Sequence, residues 1–365
     1  MKIECSTEKI KNAILLAEKI TGKNLSLPIL NSILFTASEK SLILRSTNLS
    51  IGIEIEIPAK VEKEGTVAIT GSVMAGVFSN IYQNENLYLE EEEGNVFIKT
   101  KKNKIKAKGQ SSEDFPTIPK INGDSFLIGS QKLVEGIKSV FYSSAVSDIK
   151  PEISSVFIYT EGDNVIFVST DSFRLAEKKI KIKNIPDIKG IIIPFKNVLE
   201  IVRVIGDYKG DVNVCFNKNQ ISFSFEGIYL TSRLIDGVFP DYRQIVPKES
   251  KTESIILKQD VVSALKLSNI FSDKFNQINL KVSPEEKVFE ISSSNNDVGE
   301  NKTNLEATLK GEEVVVSFNY KYFLDCLQSI SADSICINFN QETKPMLISG
   351  VSDNTFIYLI MPMNR

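Results

Sequence analysis

Apolar residues in this chain return at two alternating periods. Near the start, Ile3-Glu4-Cys5 alternates like a short strand. Ile10, Ala13, Ile14, Ala17 and Ile20 then fall on one stripe and predict an amphipathic helix over 8–20. The same step recurs at Phe126-Leu127-Ile128, with a helix over 131–141 striped by Leu133, Val134, Ile137, Val140 and Phe141. It recurs again at Ile255-Ile256-Leu257, where Val261, Ala264, Leu265 and Ser268 share one side of a helix over 259–270. Three mid-repeat strands end in polar turns that align Ser46 with Ser169 and Ser292. Strands over 66–69, 191–193 and 314–316 precede helices over 72–81, 196–205 and 320–330. Each repeat then closes on a hydrophobe-proline step: Phe115-Pro116, Phe239-Pro240 and Met361-Pro362.

One period of about 123 residues, too long for the ~20–50 residues of solenoid units, is the mark of a triplicated domain. The expected domains are 1–123, 124–249 and 250–365, with linkers near Asn122-Gly123-Asp124 and Lys248-Glu249-Ser250-Lys251. Each is predicted to be α+β, with two helices and roughly eight strands in antiparallel sheets. Alternating runs such as Gly52-Ile53-Glu54-Ile55-Glu56-Ile57 supply the strands. Similar domains joined head to tail repeat one heterologous contact, and such contacts make a ring when the rotation closes.

Composition narrows the chemistry. Hydrophobic residues make up 42% and charged residues 24% of 365, an ordinary globular balance. No apolar run nears the ~20 residues that span a bilayer, and the N-terminus lacks a secretory h-region, so a cytoplasmic protein is expected. Cys5, Cys215, Cys326 and Cys336 match neither a zinc pattern nor a disulfide framework and read as free thiols. There is no histidine. That excludes Ser-His-Asp, Cys-His and HExxH sites, and no metal or cofactor is expected. Net charge is −3. Binding a polyanion therefore requires positive charge sorted onto one surface. The predicted helices carry Lys9, Lys11, Lys19, Lys132, Lys138, Lys196, Arg203, Lys266 and Lys321. Two readings stand: a cationic lining that holds phosphates without reading bases, or ordinary solvated helix faces.

Four segments carry a resemblance to the bacterial DNA sliding clamp family, the beta subunit of DNA polymerase III. They are Leu27-Pro28-Ile29-Leu30, the run Ser169-Thr170-Asp171-Ser172-Phe173-Arg174-Leu175-Ala176, the run Asp236-Gly237-Val238-Phe239-Pro240-Asp241-Tyr242-Arg243, and Met361-Pro362-Met363. Each is weak alone; in order, inside a threefold repeat, they are specific. The resemblance implies a non-catalytic processivity factor: a homodimeric ring of six domains, helices lining the hole and sheets outside. Its implied partners are encircled double-stranded DNA, an ATP-driven clamp loader, and polymerases and repair proteins bound through short linear peptides.

It also implies site residues. A peptide groove between the second and third domains would use Ile153, Thr170, Phe173, Arg174, Leu175, Pro240 and Ile245, with Tyr322, Pro345, Met346, Leu359, Met361, Pro362 and Met363. Flexible methionines suit such a groove. The competing reading makes Leu359, Met361 and Met363 a final strand in the third domain's core. DNA contact adds Lys23, Asn24 and Lys150 to the helix cations. The ring interface would set Met74, Phe78 and Ile81, exposed on one helix, against Ile270 and Phe271 of the partner. The chain departs from the family pattern at Ser172, Phe173, Gln244, Pro151, Glu152 and the Asn364-Arg365 end. Two other classes compete: a carboxylate enzyme built on Asp171, Asp236 and Asp241, and a peptide scaffold that never touches DNA. No GxxxxGK[ST], GxGxxG or GxSxG motif supports the enzyme.

Overall fold

A computed structural model describes residues 1–22, 26–81, 86–147 and 149–363. Its described residues hold six α-helices: α1 (Thr7–Ile20), α2 (Gly71–Ser79), α3 (Ser130–Lys138), α4 (Phe195–Ile205), α5 (Lys258–Ile270) and α6 (Tyr320–Leu327). Each follows a strand directly, as the periodicity predicts. The stripe Ile10, Ala13, Ile14, Ala17 and Ile20 is fully buried, as are Val261, Ala264, Leu265 and Ser268 on α5. The helix predicted to reach Phe141 stops at Lys138, and Phe141–Ser143 forms a separate 3-10 turn. No helix among the described residues is long and apolar enough to cross a membrane.

Packing divides the chain into two compact units. One comprises Met1–Gln131 with Leu199–Leu234. A 13-stranded sheet runs through it, in which Ile228–Arg233 of the second repeat pairs antiparallel with Ile51–Pro58 of the first. The other comprises Lys132–Val198 with Ile235–Arg365. Its nine-stranded sheet pairs Arg174–Lys181 of the second repeat with Phe356–Ile360 of the third, and a four-stranded sheet ends on Gly299–Leu305.

The two pairings are copies of each other. Phe126 faces Val214, which faces Phe223, then Leu230, then Ile53, then Ser46. Ser254 faces Ile337, Ile348, Tyr358, Ala176 and Ser169 in the same succession. Every one of these twelve side chains is buried, because directly opposed residues project to the same side of a sheet. The first repeat begins the same ladder with Ile3, Leu89, Ile98 and Ile105, and there it stops. Beyond Ile105 that side of its strand is paired only at its far end, where Gly109 and Gln110 meet Ile69 and Ala68 of the same repeat, and Gly299–Leu305 pairs on one side only among the described residues.

The third repeat corrects one alignment. Ser46 donates to Ala17 O at 2.5 Å, tying strand to helix; its counterpart is Ser293, which donates to Ser268 O at 2.9 Å. Ser292, placed there by the constant interval, is only half-buried. The following hairpin is one residue longer: Ser293 faces Asn301, whereas Ser46 faces Ile53 and Ser169 faces Ala176.

Candidate functional site

The turn Thr170–Arg174 is built by its own side chains. Thr170 Oγ1 donates to Arg174 O at 2.7 Å and accepts from Ser172 N at 3.2 Å. Asp171 Oδ1 accepts from Phe173 N at 2.9 Å and Arg174 N at 3.0 Å. Short Thr and Asp side chains that bond backbone two and three residues ahead favour this geometry. The turn holds Ser172 at φ 78°, a left-handed conformation that glycine adopts without strain. It leaves Phe173 62% exposed and sends Arg174 inward.

Arg174 is the hub of this region. Its Nε lies 3.0 Å from Asp171 Oδ2, NH1 is 2.6 Å from Asp325 Oδ2 on α6, and NH2 donates to Tyr142 O at 2.6 Å. The guanidinium also stacks 4.4 Å above the Tyr322 ring. Planar donors in a fixed fork allow this set of contacts, which a lysine ammonium cannot reproduce. The last segment is pinned beside it: Met361 N donates to Phe173 O and Met363 N to Ser317 O, both at 2.8 Å.

Beneath lies an apolar floor of Ile166, Val168, Leu175, Ile192, Phe239, Tyr242 and Leu359, with Leu347 packed against it. Phe157 and Phe239 stack at 4.7 Å. A polar chain crosses this floor: Arg243 donates to Tyr159 OH at 2.9 Å, Tyr159 and Tyr242 hydroxyls are 2.7 Å apart, and Tyr242 donates to buried Glu177. Burial and then the Glu177 charge push the Tyr242 phenol upward, keeping it a proton donor.

All fourteen residues expected in the groove lie in this one compact unit, and they sort into two layers. Phe173, Pro240 and Ile245 are exposed, and Arg174, Tyr322, Met361, Pro362 and Met363 are half-buried. Ile153, Thr170, Leu175, Pro345 and Leu359 are buried, and Met346 is fully enclosed. For Leu359 the final-strand reading holds, because it faces Leu175 and Leu347 across two strand pairs. Met361 and Met363 lie beyond the end of that strand, half-buried. Asp171 was read as a candidate acid and not as the partner of Arg174, and Asp325 and Tyr142, which also fix Arg174, were not singled out. The Asp at i−3 was visible in the sequence, but the partners from Tyr142 and α6 were not.

The expected interface on α2 is corrected. Met74 and Phe78 are 0% exposed and Ile81 6%, so they form the domain's own core where α2 packs on α1. The i, i+4, i+7 spacing marked the inward stripe of the helix. Val73, 48% exposed, stands on its outer face. Ile270 is 64% exposed and Phe271 half-buried, so both remain available. Among the cations, Lys9, Lys19, Lys132, Lys138, Lys150, Lys196, Arg203, Lys266 and Lys321 are exposed and Lys11 half-buried. Arg203 is drawn to Glu200 at 2.6 Å and Lys11 donates to Ser79 O at 3.5 Å. Lys23, Asn24 and the Asn364-Arg365 end lie outside the described residues. No group of His, Cys, Asp and Glu able to hold a metal occurs among the described residues.

Comparison with known proteins agrees with this architecture. Residues 1–119, 128–241 and 243–364 match, in order, the N-terminal, central and C-terminal domain models of the DNA polymerase III beta subunit. The beta sliding clamp of Synechococcus elongatus is 23% identical over 100% of this chain and 99% of its own length. That of Staphylococcus aureus is 25% identical over 94% of each. The crystal structure of the Bacillus subtilis DNA polymerase sliding clamp superposes with a TM-score of 0.95 at 24% identity, covering 100% of this chain and 99% of that one. The Thermotoga maritima beta subunit gives 0.94 at 22% identity, with the same coverage.

Proposed function

The chain belongs to the DNA polymerase III beta subunit family, the sliding clamps, and from that premise we propose that two copies close into a ring around duplex DNA. The protein is a non-catalytic processivity factor, not an enzyme. The observation that carries the ring is the interrupted ladder. Ile105 ends one copy of a ladder that twice continues into the fourth strand of a neighbouring repeat. The fourth strand of the third repeat, Gly299–Leu305, has the free edge such a ladder needs. Two chains joined at these edges repeat the same pairing six times, leaving no strand edge unpaired at the junctions.

The pairing register follows from the two intact copies. Asn301 occupies the place of Ile53 and Ala176, so it faces Ile105 of the second subunit. Glu300 then faces Lys106, an opposite-charge pair on the exposed side. Ile270 and Phe271 flank this joint on the neighbouring helix.

The helix cations serve the enclosed DNA. Lys9, Lys19, Lys132, Lys138, Lys266 and Lys321 offer phosphate contacts without base readout, so sliding is not stopped by sequence. The layered surface around Phe173, Met361 and Met363 takes short peptides of polymerases and repair proteins, with a clamp loader opening the ring. The test is retention on plasmid DNA. Loaded protein should survive a high-salt wash on a nicked circle and be lost once the circle is linearised, since threading resists salt and phosphate contact does not. Equal salt-sensitive loss from both forms would overturn the ring.

A further inference from the structure

We propose that the first junction carries a second peptide site, a preformed cavity that takes an aliphatic side chain flanked by a carboxylate. The turn at Thr47–Ile51 repeats the Thr170–Arg174 turn bond for bond. Thr47 Oγ1 donates to Ile51 O at 2.9 Å and accepts from Leu49 N at 3.0 Å. Asn48 Oδ1 accepts from Ser50 N and Ile51 N, both at 3.0 Å. Leu49 sits at φ 74° where Ser172 sits at 78°. Arg233 N donates to Ser50 O at 2.8 Å, as Met361 N does to Phe173 O.

The side chains differ in one direction. Gly52 stands where the floor of the second junction has Leu175, and Thr231 where it has Leu359. The smaller residues leave a cavity of about 230 Å³, walled by Ile51, Ile118, Pro116 and Pro119. A Cβ on Gly52 would meet Ile118 Cγ1 at 3.3 Å, which places this glycine against the wall. The linker wall is fixed: Tyr229 OH donates to Pro119 O and accepts from Ile121 N, both at 2.9 Å. The cavity therefore needs no ordering to receive a ligand. No lining residue is acidic, and Arg233 is exposed at its rim. That charge selects an acidic flank on the peptide, while apolar walls select leucine or isoleucine.

The kind of occupant rests on reading the second junction as a peptide groove; the cavity does not. The probe is an acetylated decapeptide alternating leucine with glutamate, titrated into full-length protein labelled at isoleucine and methionine methyls. Saturable shifts are expected at Ile51 and Ile118 in addition to Met361 and Met363. Gly52→Leu, which fills the cavity, should weaken the Ile118 response at least about tenfold and leave the Met361 curve unchanged. Arg233→Glu, at an exposed position compatible with folding, should weaken it about fivefold. Shifts at Met361 and Met363 alone overturn the second site and leave the groove standing. Shifts at Ile51 and Ile118 alone uphold the cavity and sink the groove. Shifts at neither overturn both.

Discussion

Arg174 NH1 lies 2.6 Å from Asp325 Oδ2, joining a turn of the second repeat to a helix of the third across 151 positions of sequence. The guanidinium side chain is 11% exposed and its carboxylate partner 41%, so the arginine is the member that has lost its water. Its charge is held by Asp171, Asp325 and the Tyr142 carbonyl together.

Removing the arginine leaves Asp171 without its cation in a half-buried turn. Arg174→Ala should cost about 3 kcal/mol of stability and weaken peptide capture at Phe173 and Met361. Arg174→Lys should recover only part of it, having no planar fork. Urea denaturation of both variants, with peptide titration alongside, measures this. Full recovery by lysine would show that the fork geometry is unimportant.

Ser172 carries left-handed strain at φ 78°. Ser172→Gly should stabilise the chain by about 1 kcal/mol, since glycine enters this region without a Cβ clash. The increase should appear in thermal unfolding. A lowered midpoint would mean that the serine hydroxyl contributes more than the strain costs.

The proposed register makes Glu300 and Lys106 cross-subunit partners. Glu300→Lys and Lys106→Glu should each weaken dimerisation by about fivefold through like-charge opposition, and the double exchange should restore it. Monomer–dimer equilibria at low protein concentration, read by sedimentation at low and high salt, decide it. Additive weakening in the double variant would displace the register.

Burial drives the Cys5 thiol up to about 12, with Glu4 adding to it, and Cys326 is likewise pushed well above the ordinary range. A raised thiol pKa keeps the unreactive protonated form through neutral and mildly alkaline pH. Iodoacetamide at pH 8 should therefore leave Cys5 and Cys326 untouched in the native protein and label both in urea, as followed by peptide mass. Rapid native labelling of Cys5 would show that its strand opens readily.

Much of the fold was legible because each repeat must bury the same stripes. Ile10, Ile14 and Ile20 on α1 and Val261 and Leu265 on α5 are buried as their spacing predicts. Periodicity says which side of a helix is apolar but not what covers it. That is why Phe78 reads equally as contact surface or core until α1 is seen lying on α2. The interval between repeats failed at Ser293 for a local reason: the hairpin before it is longer, Ser283 facing Val288 where Ser38 faces Ser41 and Glu161 faces Asn164, which slips every later position of that strand. At the candidate site the motif around Arg174 was visible, but Asp325 and Tyr142 reach it only through the folded chain. Met346 and Leu359 share an apolar sequence character with Met361, yet strand pairing encloses the first two and releases the third.

The unfinished ladder at Ile105 has a geometric consequence. If six like joints close a circle, each turns the chain by about 60°, and any angular error at one joint is multiplied by the rest. A joint a few degrees too shallow would spiral past its own start and keep adding subunits as a filament. In the proposed ring the twelve buried side chains of the two internal ladders would act as a protractor, and substitutions at Leu230, Ile53, Tyr358 or Ala176 that spare stability would then show as misclosed polymers under the electron microscope.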